Sequence, residues 1–199
     1  MRIALFGGSF NPVHLGHKKL VEEVAKEFNI DRVIIMPTWK TPLKDNRNFA
    51  DAELRLDMCK LAFQNLSTVK VSDMEIKRQG NSYTYLTLNS LKEKYPNDEL
   101  FMLVGADMFL SLEKWKNFKD IFKMTSIIAV PRNCDNHKLL LHSEKLAKLY
   151  GCKSFVMNHK VMDVSSTEIR QKLSDSQDVS NLLNKNVYEY IREHHLYGT

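Results

Sequence analysis

The residues best suited to chemistry stand near the start of the chain, in G-G-S-F-N-P-V-H-L-G-H, residues 7–17. Gly7 and Gly8 precede Ser9, and His14 and His17 flank Gly16. Glycines at a strand end let the backbone approach a bulky anion, and the open N–H groups of a following helix favour negative charge. Gly16 removes a side chain that would crowd anything lying across the turn. The stretch is not G-x-G-x-x-G and lacks G-K-[ST], so neither a dinucleotide-cofactor fingerprint nor a Walker-type loop is indicated. No H-E-x-x-H accompanies the histidines, so a zinc site is not indicated either. Taken singly, each histidine also fits a helix-capping or surface role.

A second stretch, D-V-S-S-T-E-I-R at residues 163–170, has a related character. Ser165 and Glu168 are spaced as a capping box, which predicts a helix starting there. The hydroxyls of Ser166 and Thr167 and the open N–H groups at that start can hold phosphate. Arg170, one turn in, adds a charge-assisted contact. An ordinary helix cap is the plainer alternative.

Positioning these residues requires a particular scaffold. Residues 2–6 form a short apolar run read as a buried strand, and Leu20, Val21, Val24, Ala25 and Phe28 fall at helical spacing. Residues 32–36 (R-V-I-I-M) are a second β-rich run, stopped by Pro37. Strand, helix, strand over so short a span is a βαβ unit and predicts a parallel sheet. The alternation continues with helices at 51–66, 83–95, 139–150, 166–173 and 186–194, and strands at 69–71, 99–104, 126–130 and 154–157. The expected fold is one α/β domain over residues 1–199: a doubly wound, mostly parallel sheet with helices on both faces, Rossmann-like. In such sheets ligands bind beyond the carboxyl ends of the strands, where Gly7, Gly8 and Ser9 stand. Residues 38–49 (T-W-K-T-P-L-K-D-N-R-N-F) are the longest polar loop near the sheet edge and a candidate substrate loop.

Composition narrows the setting. A chain of 199 residues with 43% hydrophobic and 27% charged content reads as ordinary globular. No apolar run approaches the roughly 20 residues of a membrane span, and no signal peptide is read at the N-terminus. Cys59, Cys134 and Cys152 are odd in number, far apart and form no C-x-x-C, so a reducing cytoplasm is the expected compartment. The net charge of +5 suits phosphorylated ligands, although a solvated lysine-rich surface accounts for most of it.

The two stretches carry a resemblance. Residues 7–17 resemble the signature of the nucleotidylyltransferase superfamily, which transfers AMP or CMP from a nucleoside triphosphate, and residues 163–170 resemble its second nucleotide motif. Class I aminoacyl-tRNA synthetases share a related H-x-G-H. The middle of the chain is similar to bacterial nicotinate-nucleotide adenylyltransferases: Gly80 to Thr84 with Thr87-Leu88, then V-G-A-D at 104–107 with Leu112 and Trp115, the R-L-D-M helix at 55–58, and Val187 to Tyr197 at the end. Two positions depart from that pattern. Leu43 stands where the family often has histidine, and Leu86 where it has aspartate.

The resemblance implies an adenylyl transfer from ATP to nicotinate mononucleotide, with Mg²⁺ accompanying ATP. His14 and His17 are implied as the catalytic pair, facing the α-phosphate and the leaving pyrophosphate. ATP is expected at Gly7, Gly8, Ser9 and Phe10, at Gly105 and Asp107, and at Ser165, Ser166, Thr167 and Arg170. Asp107 can bond a ribose hydroxyl or hold a hydrated metal, or simply cap a turn. The acceptor is expected at Lys44, Ser82, Tyr83 and Thr84, and at Trp115, Lys116 and Arg132. Trp115 can stack on the pyridine ring, or be a half-buried packing residue. Thr84 and backbone N–H groups near Trp115 and Lys116 are implied for the carboxylate. No metal cage of the protein's own is visible. The rivals are an adenylyltransferase of nicotinamide mononucleotide or phosphopantetheine, and a non-catalytic RNA-binding module. The last wants clustered cations interleaved with exposed aromatics, whereas the lysines here are dispersed. Neither nucleic acid nor membrane is an expected partner. The sequence is silent on oligomeric state and compatible with a homo-oligomer.

Overall fold

A computed structural model describes residues 1–42, 49–131, 136–158 and 164–199. In chain order the elements are β1 (Arg2–Gly8), α1 (Leu15–Glu27), β2 (Arg32–Pro37), α2 (Ala52–Phe63), β3 (Val69–Val71), α3 (Met74–Arg78), α4 (Thr84–Lys94) and β4 (Glu99–Gly105). There follow α5 (Ala106–Leu110), a 3-10 turn (Leu112–Lys114), α6 (Phe118–Met124), β5 (Ser126–Val130), α7 (Asn136–Tyr150), β6 (Ser154–Val156), α8 (Ser166–Ser174), α9 (Lys185–Glu193) and a 3-10 turn (Leu196–Gly198).

The six strands make one sheet in the order β3-β2-β1-β4-β5-β6, and every pairing is parallel. Each central strand divides its residues between two cores, because successive side chains point to opposite faces. Ala4 and Phe6 of β1, Val33 and Ile35 of β2, and Phe101 and Leu103 of β4 face a core completed by α1, α2, α8 and α9. Ile3 and Leu5, Ile34 and Met36, and Leu100 and Met102 face the opposite core, completed by α4, α5, α6 and α7. With both faces covered, the strands read as unbroken apolar runs. This is the expected doubly wound sheet.

The chain reverses direction across the sheet between β1 and β4, the two central neighbours. That is the topological switch point, where a crevice opens beyond the strand ends. Several elements run past their expected limits there. β1 continues through Gly7 and Gly8, which pair with Met36 and Pro37 of β2, and β4 continues to Gly105, opposite Val130. Helix α1 starts at Leu15, so His14 is its N-cap and His17 falls in its first turn. Helices α3, α5 and α6, of five to seven residues, have no counterpart among the expected elements. Among the described residues no helix is long and apolar enough to cross a membrane.

Candidate active site

The glycine turn lies at the switch point. Gly7 is exposed and lines a cavity of about 390 Å³ with Gly8, Ser9 and, from β4, Gly105. A Cβ built on Gly7 or on Gly105 meets nothing of the protein within 4 Å. The missing side chains therefore leave space for something that is not the protein. Gly8 has a different reason to be glycine, because a Cβ there falls 3.2 Å from the Phe10 ring. Phe10 is 2% exposed, adopts φ 45°, and does not line the cavity; its ring packs edge-on against Phe6 (5.3 Å between centroids) and His17 (5.1 Å). Its side chain serves as the floor beneath the turn.

On that floor the two imidazoles stack, with centroids 3.6 Å apart and planes 28° off parallel. His17 Nδ1 accepts the backbone N–H of His14 at 3.2 Å, at the first turn of α1. Because that nitrogen accepts, the neutral ring carries its proton on Nε2, which makes His17 a donor through Nε2.

The second motif joins the first directly. Ser165 Oγ accepts the Glu168 N–H (3.0 Å), which caps α8 as its spacing predicts. Ser166 Oγ donates to the Pro12 carbonyl (2.9 Å), and Arg170 Nη1 donates to the Asn11 carbonyl (2.8 Å). Arg170 Nη2 also reaches Thr167 Oγ1 at 3.4 Å. Two stretches about 150 residues apart in sequence thus put the N-termini of α1 and α8 side by side, each end offering N–H groups to an anion. Asp107 is exposed in the first turn of α5, immediately after Gly105 at the end of β4.

The cavity continues from the glycines to the side where the sequence places the acceptor. Its wall includes Thr38, Thr41 and Pro42 from the segment after β2, Ser82, Tyr83 and Thr84 at the start of α4, and Trp115 and Lys116 after the 3-10 turn. The Lys116 ammonium sits over the Tyr83 ring, 4.5 Å from its centroid. The segment after β2 is fastened to the α4 start: Trp39 N donates to Ser82 Oγ (3.0 Å) and Ser82 N to the Lys40 carbonyl (2.9 Å). Lys44 and Arg132, expected on this side, and Leu43 and Asp163 lie outside the described residues.

Two buried charged residues hold these parts together, and neither was singled out as a site residue. Arg55, read from sequence as part of the R-x-x-M helix, is 1% exposed on α2. It donates Nε to Ala50 O (2.9 Å), Nη1 to Ser9 O (2.7 Å), and Nη2 to Thr38 O (2.6 Å) and Trp39 O (3.3 Å). One guanidinium thereby ties the glycine turn to the acceptor-side segment. Burial lowers its pKa, with the Tyr197 phenol the first opposing influence. An arginine has a wide margin above neutrality, so the group remains a cation. Glu75 of α3 is the second: Thr87 Oγ1 donates to its Oε1 (2.5 Å) and Arg78 Nη2 donates to Thr87 Oγ1 (3.1 Å). A further brace is Tyr197, whose hydroxyl donates to Asn11 Oδ1 (2.7 Å) and whose phenol burial pushes upward in pKa. Single polar residues in helical runs gave no signal of these roles, apart from the R-x-x-M likeness at Arg55.

A parallel sheet in this strand order, with H-x-G-H on the first helix after a glycine turn, defines a nucleotidyl-transferring class of protein. The cytidylyltransferase-like family model matches residues 5–172. Full-length relatives are finer in name. A "Probable nicotinate-nucleotide adenylyltransferase" of Fusobacterium nucleatum is 37% identical over 98% of this chain and all of its own length. A protein of the same name from Shewanella frigidimarina is 35% identical over 99% of this chain and all of its own. The fold also matches a Plasmodium falciparum nicotinic acid mononucleotide adenylyltransferase complexed with NaAD, at TM-score 0.78 and 18% identity, covering 98% of this chain and 97% of that one. The chain belongs to the cytidylyltransferase-like family and, within it, to the nicotinate-nucleotide adenylyltransferases.

Proposed function

We propose that this enzyme transfers the adenylyl group of ATP to nicotinate mononucleotide, giving nicotinate adenine dinucleotide and pyrophosphate in NAD biosynthesis. The observation that carries the reading is one glycine turn that opens on a polar, aromatic cavity and runs on into a stacked histidine pair where the N-termini of α1 and α8 meet.

The acceptor's phosphate oxygen attacks the α-phosphorus of ATP in line. The new P–O bond forms as the bond to the β-phosphate oxygen breaks, and pyrophosphate leaves with the electron pair. The attacking phosphate is already ionised at neutral pH, so the protein has no proton to remove. Its work is positioning and charge stabilisation. Ser9, Gly7 and Gly105 let the triphosphate approach the backbone, and Ser166, Thr167 and Arg170 hold it at the α8 end. His17, donating through Nε2, stabilises charge growing on the phosphates, with His14 stacked against it.

Trp115 stacks on the pyridine ring and Thr84 meets its carboxylate, together with the backbone N–H groups at Trp115 and Lys116. Among the described residues no group of three or more His, Cys, Asp or Glu is arranged to hold a metal. Mg²⁺ would enter with the triphosphate, and the exposed Asp107 carboxylate beside the end of β4 would meet its water shell. When bound, Mg²⁺ neutralises phosphate charge. We place the enzyme in the cytoplasm, acting on small molecules without nucleic acid, and leave room for a homo-oligomer.

The test is pyrophosphate release from ATP with nicotinate mononucleotide, nicotinamide mononucleotide or phosphopantetheine as acceptor. Release that depends on a pyridine mononucleotide, and is fastest with nicotinate, is expected. Equal release with phosphopantetheine overturns the reading.

A further inference from the structure

Three side chains that line the cavity carry a buried polar atom without a hydrogen-bond partner: Thr38 Oγ1, Glu75 Oε2 and Trp115 Nε1. Each such atom is costly when left unmet. Native proteins leave few of them, and three around one cavity mark where a ligand's polar groups belong. Glu75 is also the sole acid among the described residues lining the cavity. Its side chain is 6% exposed, and its Oε1 is engaged by Thr87. Through Thr87 it is anchored to α4, the helix that begins at Thr84.

We propose that Glu75 decides between a carboxylate and a carboxamide on the pyridine ring of the acceptor. The inference rests on the acceptor's being a pyridine mononucleotide. A carboxylate offers acceptors alone, whereas a carboxamide offers two N–H donors and one acceptor. Of the three unmet atoms, the Trp115 N–H is a donor and the Thr38 hydroxyl adapts. Glu75 alone changes its nature with its proton. As the neutral acid it donates, which matches a carboxylate. As the anion it accepts, which suits a carboxamide N–H and sets two buried negative charges against each other when a carboxylate enters.

The surroundings of Glu75 favour retention of the proton. Burial pushes its carboxyl above the ordinary range, and the Thr87 and Ser82 hydroxyls and the Arg78 charge oppose that without cancelling it. Arg78 Nη2 lies 3.9 Å from Oε1. The other charged or titratable groups on the cavity wall are Lys114, Lys116 and Tyr83; both lysines are exposed, and Lys116 is over the Tyr83 ring. The group holds its proton below its raised pKa and loses it as pH rises through that value. Nicotinate preference therefore belongs to the lower range and falls as pH rises.

The experiment measures kcat/KM for nicotinate and nicotinamide mononucleotides between about pH 6 and about pH 9, in wild type and Glu75→Gln. The phosphate and ATP titrations are common to both acceptors and cancel in the ratio. In wild type the nicotinate-to-nicotinamide ratio is expected to fall with pH, by up to about tenfold per unit above the Glu75 pKa, the limit for one proton. In Glu75→Gln, whose amide oxygen still accepts from Thr87, the ratio is expected to be flat. Calorimetry on wild type alone gives a second readout, independent of whether the variant folds. Nicotinate mononucleotide should bind with more proton uptake than nicotinamide mononucleotide in buffers of differing ionisation enthalpy. A flat wild-type ratio, the same slope in Glu75→Gln, or equal proton uptake overturns the proposal. Turnover of neither mononucleotide instead overturns the function from which it starts.

Discussion

The nucleotide half and the acceptor half of the site are assembled in different ways. The nucleotide half comes from two contiguous stretches, Gly7 to His17 and Ser165 to Arg170, whose side chains bond to backbone a few residues away or to each other. Its chemistry is that of helix N-termini, which any suitable cap delivers. The acceptor half is gathered from the segment after β2, the start of α4 and the turn before α6, and holds buried polar atoms that await a partner. Nothing local fixes that geometry. It is set by Arg55, Glu75 and Ser82, which bond across elements. On the proposed function, phosphate handling would be local to a motif, and acceptor choice a property of the tertiary fold.

Breaking the brace between the halves should cost most. Arg55→Met strands the Ser9, Thr38 and Ala50 carbonyls, and about 3–5 kcal/mol of stability is expected to go in denaturant titration, the range for removing a buried charged network. In the folded fraction both ATP and acceptor KM should rise. A rise in one alone would mean that Arg55 serves one half and is no brace.

His17→Ala removes the ring that accepts the His14 N–H and is aimed at the nucleotide half. A drop in kcat of about a hundredfold or more, with a small change in ATP KM, is the usual cost of losing one transition-state stabiliser. Near wild-type turnover in this variant would remove His17 from the mechanism.

The smaller effects separate the halves. Arg170→Ala should weaken ATP binding by about 2 kcal/mol, the scale of a hydrogen bond to a charged group, and spare the acceptor. Equilibrium Kd values for each substrate check it; equal losses would point to the Asn11 contact and to folding. Thr84→Val, which keeps shape and removes the hydroxyl, should reduce kcat/KM for nicotinate mononucleotide by about 1–3 kcal/mol and for the nicotinamide analogue by less. An unchanged ratio would remove the Thr84 hydroxyl from carboxylate selection. Ser165→Ala should cost about 1 kcal/mol of thermal stability, as a lost N-cap does.

The same division decides what was legible in the sequence. The buried strands and the longer helices follow from apolar runs and helical spacing, and the two motifs stand where local rules put them. Helices α3, α5 and α6 escape because five to seven residues are too few to show a period. Helix α1 is capped by His14 and not by the usual Ser, Thr, Asp or Asn, so its start is legible only from the motif. Phe10 is read as a ligand contact from its place in a motif, and its buried ring beneath Gly8 and His17 emerges only from tertiary packing. The roles of Arg55 and Glu75 depend on Ser9, Thr38 and Thr87, 12 to 46 residues away, and no spacing rule reaches that far.

The account stands on the claim that substrates occupy the open space above the glycines where β1 and β4 end. Gly7→Ala tests it most directly, because the added methyl meets no protein atom within 4 Å and the backbone there needs no positive φ. The measurement is kcat/KM for adenylylation of nicotinate mononucleotide, beside the melting temperature. The account predicts an unchanged or slightly higher melting temperature and activity lower by at least about tenfold, the effect of a crowded reacting geometry. Wild-type activity in Gly7→Ala would contradict it.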